Sequence, residues 1–140
     1  MFDALVIGAG PAGATAARLL AAGGWRVALV ETSEFPRRKV CGEFISAASL
    51  PVLESCGVAD SFLAMAGPPV RHVGVYAGEV MLSSPHRAPI GRALGREHLD
   101  ILMRDAAVAA GAQLRQPCEL VSVVREHRSL ACALQAGGRI

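Results

Sequence analysis

Six residues near the start of the chain, Gly8-Ala9-Gly10-Pro11-Ala12-Gly13, have the spacing of a loop that brings bare backbone against a diphosphate. Gly8 permits a tight turn out of a strand, Gly10 removes a Cβ that would collide with a pyrophosphate, and Gly13 lets the following helix pack close to the strand. The first-turn amides of that helix then point at the phosphates, with the positive end of the helix dipole behind them. Glu31 follows about 20 residues on, where a carboxylate can accept hydrogen bonds from both hydroxyls of a ribose. An acid there also repels a 2′-phosphate, which disfavours NADP. The alternative is that the glycines only make turns and Glu31 is a surface charge. Context decides, because the motif has meaning when it follows a strand and opens a helix.

That context is present. Ala4-Leu5-Val6-Ile7 reads as a buried parallel strand. Ala12 to Ala22 reads as a helix closed by Gly23-Gly24. Arg26 to Val30 is a second buried strand, ending in Glu31. Together they make a right-handed βαβ unit. Thr32 to Glu43 is a polar, basic loop containing Pro36. Ser46 to Ser55 reads as a helix with Ser46 as a candidate N-cap and Gly57 as its stop; Pro51 is awkward inside it, and the alternative is a later start with Pro51 in the first turn. Arg71–Tyr76 and Val80–Ser83 alternate around Ala77-Gly78 as a hairpin would. Arg96 to Ala110 repeats apolar side chains at Leu99, Leu102, Met103, Ala106 and Ala110, which predicts a helix with one buried face. Glu97 and Asp100 then fall on its polar side and solvate it. Gln113–Arg115 is a candidate third parallel strand. Glu119–Val124 and Leu130–Leu134 read as a meander, and Gly137–Ile140 as a turn into a further strand.

Composition removes other classes. Of 140 residues 52% are apolar and the net charge is +2, so the chain can bury a core and is not disordered. Fourteen basic against 12 acidic residues give no concentrated basic face, and nucleic acid is not expected as a partner. Cys41, Cys56, Cys118 and Cys132 show no close pairing, which argues against a zinc module and a disulfide scaffold. His72, His86, His98 and His127 lack metal-ligand spacing, so no metal is expected. The apolar N-terminus carries Asp3 before any basic residue, unlike a signal peptide. Glycines and Pro11 interrupt it before the roughly 20 residues a membrane span needs. A cytoplasmic protein without a transmembrane segment is the expectation.

The loop beyond Glu31 adds a more specific pattern. Its run Glu31-x-x-x-Phe35-Pro36-Arg37-x-Lys39-x-Cys41-Gly42-Glu43 resembles the N-terminal part of FAD-dependent oxidoreductases of the geranylgeranyl reductase type. It is also similar to the wider group of aromatic-ring hydroxylases, flavin monooxygenases and flavin-dependent halogenases. Gly95-Arg96-x-x-Leu99-Asp100, with the alanine-rich helix and Gly111-Ala112 after it, matches the family's second N-terminal landmark. The resemblance implies an α/β, Rossmann-like FAD-binding domain with a βαβ start and a partly parallel sheet plus β-meander, incomplete in this chain. It implies FAD rather than NAD. Gly8, Gly10, Ala12 and Gly13 would line the pyrophosphate, and Glu31 would hold the adenosine ribose. Cys41 and Gly42 would lie along the flavin's extended chain, with Lys39 of the same run. Arg96 would reach the ribityl–phosphate region, where a charge-assisted hydrogen bond is strong. Leu120 would offer backbone contacts to adenine. Each has a plainer alternative: Cys41 as a small buried hydrophobe, Arg37 and Lys39 as solvated charges, and Arg96 paired with Asp100 within its own helix.

The resemblance also leads one to expect a Gly-Asp-Ala segment far downstream and a substrate-binding sheet. No Gly-Asp pair occurs in this chain. Residues 1–140 therefore read as the N-terminal part of an FAD-binding domain, with the substrate domain largely absent. The implied activity is an FAD-dependent oxidoreductase, tilted to the reductase-like branch by Lys39-x-Cys41-Gly42-Glu43. A small organic or lipid-like substrate is implied, with NAD(P)H as an electron donor; the fragment alone would be inactive. An NAD-binding dehydrogenase domain and a truncated, non-functional product are the competing readings.

Overall fold

Four consecutive apolar residues, Val27–Val30, form a strand (β2) whose side chains are all buried. Burial on both faces requires neighbours on both edges and layers above and below, which explains the unbroken apolar run. Ala4–Ile7 (β1) lies on one edge with Ala4 opposite Val27 and Ile7 opposite Val30. Gln113–Arg115 (β7) lies on the other, with Leu29 opposite Leu114. All three strands are parallel, in the order β1-β2-β7. The computed structural model describes residues 1–41 and 43–137. These divide into two units, one of residues 1–38 with the chain from 97 onward, the other of residues 39–96.

In the first unit, Pro11–Ala22 (α1) joins β1 to β2. Pro11 stands in its first turn, where its missing N–H costs nothing. Ala14 and Ala17 are buried, and their small side chains let the helix approach the sheet. The chain leaves α1 through Gly24 at φ +85°, a left-handed conformation that favours glycine. Arg96–Ala109 (α4) leads into β7, and Ala107 joins Ala9, Ala17, Val27, Leu29 and Ala112 in the core. Cys118–Glu126 (β8) and Ser129–Ala136 (β9) pair antiparallel, with a register shift between Leu120 and Ser122. The α/β class, the βαβ opening, the partly parallel sheet and the antiparallel pair after it are all as the sequence predicts.

The second unit pairs Phe44–Ser46 (β3) with Gly91–Ala93 (β6). A Cβ on Gly91 would collide with the Ile45 carbonyl and the Phe44 ring, so glycine is required for that pairing. Leu50–Ser55 (α2) and Ala59–Met65 (α3) follow β3. His72–Ala77 (β4) and Val80–Pro85 (β5) form a hairpin.

Four expectations need correction. The helix does not start from Ser46, which caps a short 3-10 turn over Ala47–Ser49; α2 begins at Leu50 with Pro51 in its first turn, the later start that the proline allowed. The sequence reading missed α3, β3 and β6, which are too short to show a period. The hairpin turns on Gly78-Glu79 rather than Ala77-Gly78, since Ala77 pairs with Val80. The buried stripe of α4 is Leu99, Asp100, Met103 and Ala107, so Asp100 faces inward and does not solvate the helix. The expectation for Gly137–Ile140 falls mostly on residues outside the described ones.

Every residue of β4 and β5 is exposed, including Val75, Tyr76, Val80 and Leu82. An isolated two-stranded hairpin is marginal in water, and contiguous apolar surface promotes association. Val75 and Leu82 are cross-strand partners. Replacing both by Thr should reduce self-association of the 140-residue chain in light scattering. It should change unfolding free energy by no more than about 0.5 kcal/mol, as expected of exposed sites.

Candidate functional site

Glu31 directly follows β2, and its backbone is fixed on both sides. Its amide donates to the Arg115 carbonyl at 3.0 Å, and its carbonyl accepts from the Cys118 amide at 2.7 Å. The side chain is 3% exposed. Its Oε2 accepts from the Ala9 amide at 2.9 Å, inside the glycine loop. Its Oε1 accepts from the Ser33 amide at 2.9 Å and the Thr32 hydroxyl at 3.3 Å. The Arg37 guanidinium stands 3.2 Å from Oε2. Burial alone would raise the carboxyl pKa. The Ser33 and Ala9 amides, the Arg37 charge and the Thr32 hydroxyl outweigh it and hold the pKa below the ordinary value. Glu31 is therefore an ionised acceptor at neutral pH.

The glycine loop places a helix N-terminus beside this acid. Gly8 makes the tight turn expected of it, at φ +94° in the left-handed region, and its amide donates to the Val30 carbonyl at 2.7 Å. Gly10 is extended at the N-cap of α1, with no side-chain cap and no acid in the first turn. The helix closes its first backbone bond from Ala14 to Gly10, leaving the Ala12 and Gly13 amides ahead of that ladder. Such amides form a ready anion site. A Cβ on Gly13 would collide with the Gly8 carbonyl and come 3.4 Å from Val6 Cγ1, so Gly13 does set the close helix–strand approach.

The other sequence-chosen residues are less gathered. Leu120 is half-buried on β8 at the register shift, two residues beyond Cys118, whose amide is bonded to Glu31. Arg96 is the first residue of α4 and half-buried. Lys39 and Cys41 are exposed in the second unit, so Cys41 is not the buried hydrophobe of the plainer alternative. Gly42 lies outside the described residues.

Sequence reasoning underrated two residues. Arg37 is not a solvated charge: its side chain is 13% exposed and pairs with both Glu31 and Asp100, the latter at 3.5 Å. Asp100 is 1% exposed. The available signal was helical spacing, since Asp100, Met103 and Ala107 lie at i, i+3 and i+7 on one face. The second unit separately holds a cavity of about 320 Å³, lined by Ile45, Leu50, Phe62, Leu63, Pro89 and Arg92 among others. No helix of the described residues is long and apolar enough to cross a membrane.

Comparison with known proteins points the same way as the loop and the acid. The family described as the FAD binding domain matches residues 1–137. A menaquinone reductase from Mycobacterium tuberculosis is 33% identical over 127 residues, covering 86% of this chain and 30% of that protein. A rifampicin monooxygenase from Rhodococcus hoagii is 28% identical over 143 residues, covering 98% of this chain and 29% of that protein. Among solved structures, the myxobacterial chondrochloren halogenase CndH, a variant of FAD-dependent halogenases, superposes with a TM-score of 0.84. It is 26% identical and covers 96% of this chain and 33% of its own. The chain thus spans about 30% of the length of the curated relatives it matches. The match is to an FAD domain, so the NAD-binding reading of the same glycine loop is set aside.

Two outcomes follow from the geometry. Gly13→Ala should push α1 off the sheet and lower stability by about 1–3 kcal/mol, the usual range for overpacking; thermal unfolding checks this. The Glu31 pKa is depressed in the fold, so its stabilisation is present above the ordinary carboxylate value of 4.5 and is lost as pH falls through the folded value. Denaturant curves should show wild type ahead of Glu31→Gln by about 3 kcal/mol at pH 7, the lower end for breaking a buried pair. The gap should close in acid.

Proposed function

Because this chain belongs to the FAD binding domain family, whose cofactor is FAD, we propose that it forms the nucleotide-holding part of an FAD-dependent oxidoreductase of the reductase-like branch, acting on a small lipid-like substrate. The observation that carries this reading is the buried, ionised Glu31 carboxylate hydrogen-bonded to the Ala9 amide at the mouth of α1. With a diphosphate at the α1 amides, Glu31 would be the acid offered to the adjoining ribose.

The residues divide the work. Gly8, Gly10, Ala12 and Gly13 receive the pyrophosphate through backbone. Glu31 accepts from the ribose hydroxyls. By the family resemblance, the backbone at Leu120 would contact adenine, Lys39, Cys41 and Gly42 would serve the flavin's extended chain, and Arg96 would reach the ribityl–phosphate region. Bound FAD supplies the electron transfer, and the protein supplies position and electrostatics. NAD(P)H is the proposed electron donor.

The lipid-like substrate is supported by likeness to the menaquinone reductase and by the mostly apolar cavity of the second unit. Likeness to the rifampicin monooxygenase favours a second reading, oxygen insertion on the same cofactor. The protein carrying this chain should purify yellow and consume NAD(P)H under argon when a prenylated quinone is supplied. Consumption only in air, with an oxygenated product, would replace the reductase by the monooxygenase. A colourless protein that does not take up FAD would defeat both.

A further inference from the structure

We propose that Arg37 is the positioning residue for Glu31, fixing the carboxylate so that it discriminates the ribose 2′-hydroxyl. The proposal rests on the ribose role of Glu31 given above. Two of the four groups around that carboxylate, the Thr32 and Ser33 donors, belong to Glu31's own turn, and the Ala9 amide comes from the glycine loop 22 residues earlier. Arg37 is the contact that reaches across to α4, through Asp100. One terminal nitrogen, NH2, lies 3.2 Å from Glu31 Oε2 and 3.5 Å from Asp100 Oδ2.

What places this guanidinium is not the satisfaction of its own donors. Its Nε is buried with no hydrogen-bond partner among the described residues. A buried orphan donor costs free energy and calls for an explanation. Two carboxylates and the Phe35 ring, 4.8 Å from the guanidinium carbon, hold it there. Arg104 of α4 approaches the same ring at 5.1 Å. The segment Phe35–Arg37 is thus pinned against α4, and Arg37 in turn pins Glu31 from the side away from its own turn. With Ala9 and Arg37 holding Oε2 and the Ser33 amide on Oε1, the acceptor site now taken by the longer Thr32 contact, 3.3 Å from Oε1, is the one a ribose 2′-hydroxyl would occupy at a set angle.

The test is discrimination, which a merely structural role would not move. Apoprotein is titrated with FAD and with the FAD analogue carrying 2′-deoxyadenosine, using flavin fluorescence. Wild type should prefer FAD by about tenfold, the size of one hydrogen bond to a charged acceptor. Glu31→Gln should cut that preference to about threefold or less, and Arg37→Gln should do the same while leaving affinity for the deoxy analogue near wild type. Arg37→Lys keeps the charge but not the planar fork. It should fold where Arg37→Gln does not, and its preference should fall between the two. If Glu31→Gln keeps the full preference, the ribose reading of Glu31 fails and the proposal with it. If Glu31→Gln abolishes the preference while the Arg37 variants keep it, or weaken both ligands equally, the ribose reading stands and the positioning role is overturned.

Discussion

A single buried carboxylate ties the nucleotide site together. Glu31 receives the Ala9 amide from the glycine loop, and its own backbone bridges Arg115 and Cys118, the two ends of the turn between β7 and β8. The loop at the mouth of α1, the end of the central strand and the start of the β8–β9 pair are therefore fixed relative to one residue. The energetic condition is that the charge survives burial. Four donors meet that condition, and they hold the acid ionised despite its lost hydration.

A second ion pair in the same unit shows why burial, not geometry, confers this weight. Asp3 receives Arg26 through the backbone amide at 2.9 Å and the guanidinium at 3.0 and 2.6 Å. These contacts hold the Asp3 carboxyl far below the usual carboxylate range, with the Arg26 side chain as the main cause. By distance it is the better pair. Both side chains are nevertheless well exposed, so solvent screens the attraction and the pair contributes little. The Glu31–Arg37–Asp100 group has longer distances, but its two carboxylates are buried, so solvent does little to replace a lost partner. Removing one member there leaves charge stranded, which is the expensive case.

The glycine loop, the βαβ unit and the acid were legible because each imposes a strict local condition. Gly8 needs a left-handed φ, Gly13 has no space for a Cβ, and Val27–Val30 must be apolar on both faces. These conditions leave marks on consecutive residues. Arg37 and Asp100 were not legible as a pair because 63 residues separate them and each looks like an ordinary surface charge in its own segment. The face of α4 was misplaced for a related reason. Leu102 and Ala106 continue the apolar pattern, and nothing local signals that a charged residue belongs inside until its partner is known. β3 and β6 are three residues each and exist by pairing, which no window of sequence records.

Chemical selectivity does not arise from the loop and the acid. A reductase, a monooxygenase and a halogenase all resemble this chain over most of its length. Whatever they share cannot distinguish their reactions, and they share the region that contains the loop and the acid. Function must be argued from the site that meets the substrate. Residues 39–96 hold a mostly apolar cavity beside Phe62 and Leu63 and the exposed hairpin of β4 and β5. Both also carry polar groups, Ser46 and Arg92 at the cavity and His72 and Tyr76 on the hairpin. The loop and the acid can account for holding a nucleotide, and they leave the choice among reduction, oxygenation and halogenation to the residues that meet the substrate.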